Sequence, residues 1–252
     1  MSLLILSVVF YFLAFVSSLA SYFINRVREL TRLFLSSALI FYILHTSTLS
    51  LKVRSFPFAD IYGFYSLLGN VILSILILAS FRYEHLWKFS AFFAIFGILS
   101  TLLAMPAEPS PYRSPLYSLH ITSALASYAF AFLGGFSSIL KLFLETRLKH
   151  KNITGFFMPL NLLRGAERLS MNLSFLFFTL TLIFGSFWSR SFFGKHWVSD
   201  PKLVFVLYLW TYYALIVHLN LLKRIKPKTL SYAIILGMVF TVLNIIFVRH
   251  EL

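Results

Sequence analysis

The sequence predicts an all-α integral membrane protein, a bundle of about eight transmembrane helices with both termini on the outer side. Three observations carry that prediction. Of the 252 residues, 59% are hydrophobic and 12% charged, against about 25% charged in an ordinary soluble domain. Apolar runs of about 20 residues recur, each long enough to cross a hydrocarbon core roughly 30 Å thick. The basic residues behind the net charge of +14 fall in the breaks between those runs, which is a topological pattern and not that of a nucleic-acid-binding surface.

The elements follow in order. The first run, LLILSVVFYFLAFVSSLASYFI, lacks a basic n-region and exceeds a usual signal-peptide core, although Ser18-Leu19-Ala20 faintly resembles a cleavage site. It is expected to be the first span, at about residues 3–24. Further spans are expected at about 33–51, 61–80, 89–105, 116–140, 169–187, 203–222 and 229–248. No internal repeat and no second domain is evident, so residues 1–252 read as a single polytopic membrane domain. The longest break, from Lys141 to Arg168, contains GFFMPLNLLRGAERLS. Leu160, Leu162 and Leu163 make part of it either an interfacial helix or a solvated connector.

Alternate breaks share a side of the membrane. Those after spans one, three, five and seven hold 3, 2, 6 and 4 basic residues, fifteen in all. The other side holds seven: Lys52, Arg54, Arg113, Arg190, Lys195, Lys202 and Arg249. Positive-inside bias therefore puts both termini outside, together with the aromatic stretch WSRSFFGKHWVSDPK at 188–202. The chain has no cysteine, so it makes no disulfide and performs no thiol chemistry of its own.

Seven histidines remain as candidates. His85 and His150 lie in inner basic breaks and read as solvated. His45, within FYILHTSTLS, and His218, within ALIVHLN, lie inside spans, where an ionisable group is costly and needs a partner. A hydrogen bond to Ser, Thr or Tyr on a neighbouring helix would satisfy either one. His120 sits about one turn inside span five, and His250 follows span eight in FVRHEL; both are expected at the outer surface. For His250, an exposed terminus is the plain alternative.

Two imidazoles can hold one haem iron from opposite faces, whereas zinc normally takes three or four protein ligands. No Asp or Glu falls in the middle of a predicted span, which argues against a carboxylate proton relay. The aromatic stretch would then form a shelf for a porphyrin, or else belong to the ordinary interfacial belt. Asp200-Pro201 reads as the start of span seven, with Asp at the N-cap and Pro at the first helical position.

The stretch WSRSFFGKHWVSDPK resembles the tryptophan-rich WWD signature of the cytochrome c assembly family, which includes CcsA (ResC)-type subunits of system II synthases and the related CcmC and CcmF proteins. Trp188, Gly194, Trp197, Asp200, Pro201 and Lys202 match that signature. Phe193 and Ser199 stand where the family has tryptophan, and Leu203 where it often has glutamate. SFPFADIYGFYSLLGN is similar to the family's FPL-x-x-x-YES segment, with Gly63 and Phe64 replacing parts of it. SPLYSLHITSALASYAFAFLGG, WTYYALIVHLN and LNIIFVRHEL resemble the spans that carry the family's haem-ligand histidines, here His120, His218 and His250; His45 fits the remaining intramembrane position.

The resemblance implies a multi-pass protein of a cell or thylakoid-type membrane that binds haem b and presents it on the outer face. There the haem would be attached by thioether bonds to a C-x-x-C-H apocytochrome c. The chain would be a subunit of a haem lyase, acting with a CcsB (ResB)-type membrane partner and with no nucleic acid. His120 and His250 would ligate iron outside, His45 and His218 at membrane level, with Trp188, Trp197 and Asp200 around the ring. Counting 1.5 Å per residue, His45 lies about 18 Å from the inner end of span two but His218 only about 6–9 Å from that of span seven. HemX-like members share the spans and a reduced loop, and would imply a haem-linked factor without ligase activity. From another class, a channel or secondary transporter would call for a mid-membrane carboxylate or an interrupted helix. A purely structural subunit would bind no haem.

Overall fold

Local chemistry sets where each apolar run starts and stops in the computed structural model, which describes residues 2–21, 24, 27–151 and 158–247. The helices are α1 (Ser2–Ala20), α2 (Val27–Val53), α3 (Ile61–Arg82), α4 (Ser90–Leu102), α5 (Pro115–Lys149), α6 (Leu160–Phe193), α7 (Pro201–Leu221) and α8 (Pro227–Phe247). A 3₁₀ turn, Glu84–Phe89, leads into α4 and completes the fourth span. Among the described residues, eight helical segments are long and apolar enough to cross a membrane, as the sequence predicts. Asp60 caps α3 by accepting from Gly63 N at 3.2 Å, and Asp200 caps α7 by accepting from Leu203 N at 3.1 Å. Such a cap is worth about 1 kcal/mol. Gly194 closes α6 in the left-handed region, φ 75°, where a side chain would be strained.

Three helices clearly exceed their expected lengths, α2 with 27 residues and, further still, α5 and α6. α5 has 35 residues and α6 has 34, about 50 Å each and well beyond the thickness of a bilayer core. The expectation of an interfacial helix or a connector through Leu160, Leu162 and Leu163 is corrected: these residues are the first turn of α6. Residues 155–157 of that stretch lie outside the described residues. The reason is a single buried stripe, Leu163, Glu167, Ser170, Ser174, Phe178, Thr181, Gly185 and Ser189, whose spacing of three and four keeps one face inward through the charged segment. At the other end, α6 runs on to Phe193, so the first six residues of the aromatic stretch are helix and the loop proper is short.

The described chain forms two compact units, Met1–Pro115 and Leu116–Leu252. In the first, α1 packs on α2 and α4, and α3 on α4. Lipid offers no hydrophobic drive between helices, so close approach and interhelical hydrogen bonds hold them together. Ser7 Oγ donates to Ala38 O at 2.8 Å, Thr31 Oγ1 to Ser17 Oγ at 3.0 Å, and Tyr11 OH to Asn70 Oδ1 at 3.1 Å. Hydroxyl pairs join Ser18 to Ser90 at 2.7 Å and Tyr42 to Ser66 at 2.8 Å. Gly97 admits the Tyr11 ring, since a β-carbon there would lie 2.5 Å from Tyr11 Cε1.

In the second unit, α7 packs on α6 and α8. Tyr128 OH on α5 donates to Asn244 Oδ1 on α8 at 2.6 Å, and Ser174 Oγ on α6 donates to Ser127 O on α5 at 2.9 Å. Trp210 Nε1 on α7 donates to Thr179 Oγ1 on α6 at 2.8 Å. Gly134 lets α5 come close to α6 and α8; its β-carbon would be 3.3 Å from both Ser170 Cβ and Ile234 Cγ2.

Candidate functional site

The end of the second unit that carries the α6–α7 loop is built on one face of α6. Thr181, Gly185, Trp188 and Phe192 follow at helical spacing and so line up along that face. His120, on the first turns of α5, lies against it. His120 Nδ1 is 3.0 Å from Thr181 O. A carbonyl only accepts, so Nδ1 carries the proton and the ring's lone pair sits on Nε2. The imidazole rests over Gly185, where a β-carbon would fall 2.8 Å from Nδ1 and 2.9 Å from Cε1. Trp188 stacks parallel to it, with centroids 6.3 Å apart and planes at 8°.

The aromatic row continues from there. Tyr117, one turn before His120, meets Trp188 at 5.5 Å, and Phe192 stacks on Trp188 at 5.5 Å and 19°. Phe193 meets both edge-on. Asp200 is buried as the α7 cap, with Pro201 at the start of the helix, as expected from the sequence. Trp197 is different: it is 45% exposed and makes no ring contact among the described residues. The structure therefore brings His120 and Trp188 together and leaves Trp197 on the open loop.

His196, in the same loop, is expected from the sequence only as one ring of the aromatic shelf. Its Nδ1 is 3.1 Å from Ser186 Oγ, and Phe187 meets its ring edge-on at 6.3 Å. His218, in the last turn of α7, is exposed; its Nδ1 donates to Ala214 O at 2.7 Å, which again puts the lone pair on Nε2. Phe175 lies between it and Trp210, at 6.2 Å and 6.1 Å. His45 belongs to the first unit. It is half-buried on α2, its carbonyl accepts from Thr48 Oγ1 at 2.8 Å, and its ring has no hydrogen bond among the described residues. His250 lies outside the described residues. His85 and His150 are exposed, as expected.

The opposite end of the second unit holds a group that sequence reasoning missed. Lys141 Nζ lies 2.5 Å from Glu167 Oε1, with the two side chains 0% and 1% exposed. Ser138 and Ser231 both donate to Glu167 Oε2, at 3.0 and 2.8 Å, and Lys141 also reaches Pro227 O at 3.4 Å. The sequence pattern starts span six at 169, just after Glu167; α6 begins at Leu160 and takes Glu167 in near its first turns, outside the middle of the span, where no acid is expected. The place of Glu167 in the stripe of Leu163, Ser170 and Ser174 is the signal that would have found it. Among the described residues no three His, Asp or Glu side chains gather.

What fold and site define is a polytopic helical membrane protein whose second unit sets one tautomer-fixed histidine in an aromatic row at one end. The family described as Cytochrome C assembly protein matches residues 3–251, and the chain belongs to that family. Its curated relatives include cytochrome c biogenesis protein CcsA of Chlamydomonas reinhardtii, 32% identical over 123 residues, covering 48% of this chain and 33% of the relative. CcsA of Prochlorococcus marinus (strain MIT 9303) is 31% identical over 155 residues, covering 50% of this chain and 48% of the relative. Protein NrfI of Wolinella succinogenes is 33% identical over 119 residues, covering 46% of this chain and 12% of the relative. The matched stretches thus span about half or less of these relatives' own length. Among solved structures, one described as cytochrome c haem lyase CcmF shares the fold. Its TM-score is 0.61 at 14% identity, covering 99% of this chain and 46% of that one. Family membership supports a role in cytochrome c maturation, with haem involved, for a multi-pass membrane protein.

Proposed function

We propose that this chain binds haem b and presents it at the outer membrane face for thioether attachment to apocytochrome c. The observation that carries the reading is the seating of His120. A carbonyl holds its Nδ1–H, the lone pair is on Nε2, and Trp188 lies parallel beside the ring. This is how an axial haem ligand is oriented by its neighbours. His250 is proposed as the second outer ligand, and His45 and His218 each as a ligand at membrane level. In His218 the carbonyl of Ala214 fixes the same tautomer. Bound haem supplies the vinyl groups, and the apocytochrome supplies the thiols, since this chain has none. The chain's own residues ligate iron, hold the ring edge through Trp188 and Trp197, and anchor the loop through Asp200. A CcsB (ResB)-type membrane partner is proposed to complete the synthase. Phe193 and Ser199, at tryptophan positions of the signature, favour the second reading, a HemX-like haem-linked factor without ligase activity.

The purified protein is expected to show haem absorbance. Replacing Trp188 with Ala should lower bound haem and thioether formation more than replacing Trp197, because only Trp188 touches the His120 ring. Membrane levels of both variants should stay near wild type. Haem-free wild-type protein would overturn the reading, and equal haem retention in all three proteins would reduce the aromatic row to an interfacial belt.

Orientation is tested separately. Reporter fusions after Lys228 should read cytoplasmic and fusions after Leu252 external. Fifteen basic residues stand against seven, and setting aside buried Lys141 leaves the bias intact. A cytoplasmic C-terminus would remove His250 from the outer site.

A further inference from the structure

We propose that the Lys141–Glu167 ion pair fixes the axial register of α5 against α6, and that this register seats His120 against Thr181, Gly185 and Trp188. Between the pair and His120, the α5 and α6 surfaces meet through small groups and apolar rings. Gly134 faces Ser170, and the Ser127 carbonyl faces Ser174. Tyr128 meets Phe178 edge-on and Phe130 stacks on Phe177, each at 5.7 Å. Small residues let two helices approach closely, and rings in apolar contact have few directional bonds to break, so both tolerate some sliding.

The ion pair does not permit it. Glu167 receives Lys141 on one carboxylate oxygen and both Ser138 and Ser231 on the other, while Lys141 also meets Pro227 O. These partners come from α5, α6 and the start of α8. A slip of one residue moves a helix by about 1.5 Å along its axis and turns the facing side chain by about 100°. That would break the whole set at once and leave two buried charges unpaired.

Stability alone is a poor reason for such a group. Desolvation of the two ions offsets most of their attraction, and apolar residues of similar volume often serve as well or better. Fixing one packing arrangement among several is the better-attested use of a buried polar pair. Lys141 and His120 lie on one unbroken helix about 31 Å apart, and Glu167 and Gly185 on another, so register set at one end is transmitted to the other. Lys141 and Glu167 are thus positioning residues. The consequence for haem rests on the ligand role proposed for His120; the register itself does not.

Because the chain has no cysteine, an engineered pair reports register directly. Gly134→Cys with Ser170→Cys places the two β-carbons together, since a β-carbon at Gly134 would lie 3.3 Å from Ser170 Cβ, beside the roughly 3.5–4.5 Å of a disulfide. This parent should cross-link under mild oxidation, as should the same protein carrying Lys141→Arg, which keeps the cation and its donors. With Lys141→Met and Glu167→Leu, the protein should reach the membrane at the parent's level and melt near the parent's temperature. It should nevertheless cross-link several-fold less, because disulfide formation tolerates only a narrow range of Cβ separation. In the cysteine-free chain, the same double substitution should replace the bis-histidine haem spectrum with a mixture. Parent-like cross-linking in the Met/Leu protein overturns the proposal. Should that protein fail to accumulate, Glu167→Gln, which keeps an acceptor for the serines, decides by the same yield. Reduced cross-linking in a parent that carries no haem would uphold the register and overturn the ligand role of His120.

Discussion

Purified His120→Ala protein is expected to lose the sharp reduced bands of a bis-histidine haem and to regain them when imidazole is added. The ring's two nitrogens have different tasks. Nδ1 is committed to Thr181 O at 3.0 Å, so coordination would use Nε2. Truncation to alanine removes that donor and leaves a space beside Trp188 and above Gly185 that a free imidazole fits. Loss of only the partner that orients a metal-bound histidine typically costs about 10–100-fold in affinity, and loss of the ligand itself should cost more. His150→Ala, exposed just past the far end of α5, serves as a control and should retain the wild-type spectrum. The same substitution at His250 should behave like His120→Ala if the two share one iron. Wild-type spectra in both variants would exclude the assignment.

Gly185→Ala should do nearly as much damage without touching a ligand. A β-carbon there would fall 2.8 Å from His120 Nδ1, so the imidazole must leave Thr181 O or α5 must move away from α6. Overpacking of this kind costs about 1–3 kcal/mol, partly offset by the better helix propensity of alanine. Gly165, on the same helix, has nothing within 4 Å of its would-be β-carbon. Gly165→Ala should therefore gain up to about 1 kcal/mol and leave the haem spectrum unchanged. The contrast separates a general helix effect from a seat for the histidine. Equal behaviour of the two variants, in melting and in spectrum, would show that His120 is not held over Gly185.

The eight spans were legible in the sequence because lipid imposes long apolar runs, and the start of α7 was legible because Asp200-Pro201 is a local capping signal. Helix ends near charges were not. Lys141 and Glu167 look like loop residues when charge is taken to end a span, yet each neutralises the other inside the protein. That relation joins residues 26 apart in the chain, and no local window contains it. Trp188 and Trp197 read alike in the signature. They part company only because α6 continues to Phe193, which keeps Trp188 on the face of Thr181 and Gly185 and leaves Trp197 beyond the Gly194 cap. Gly185 drew no notice, since its role depends on a ring brought in by another helix.

The two caps that bracket the aromatic loop also limit its reach. Gly194 ends one helix and Asp200 begins the next, with Lys195 to Ser199 between them. Fully stretched, five residues span about 17 Å, and Trp197, the middle one, is tethered within roughly half of that on either side. A ring on so short a leash sweeps a small search volume. Ordering it against a broad, flat guest forfeits little conformational entropy, because little remains to be lost. Lengthening the leash by a few glycines would leave every contact available and still weaken the hold.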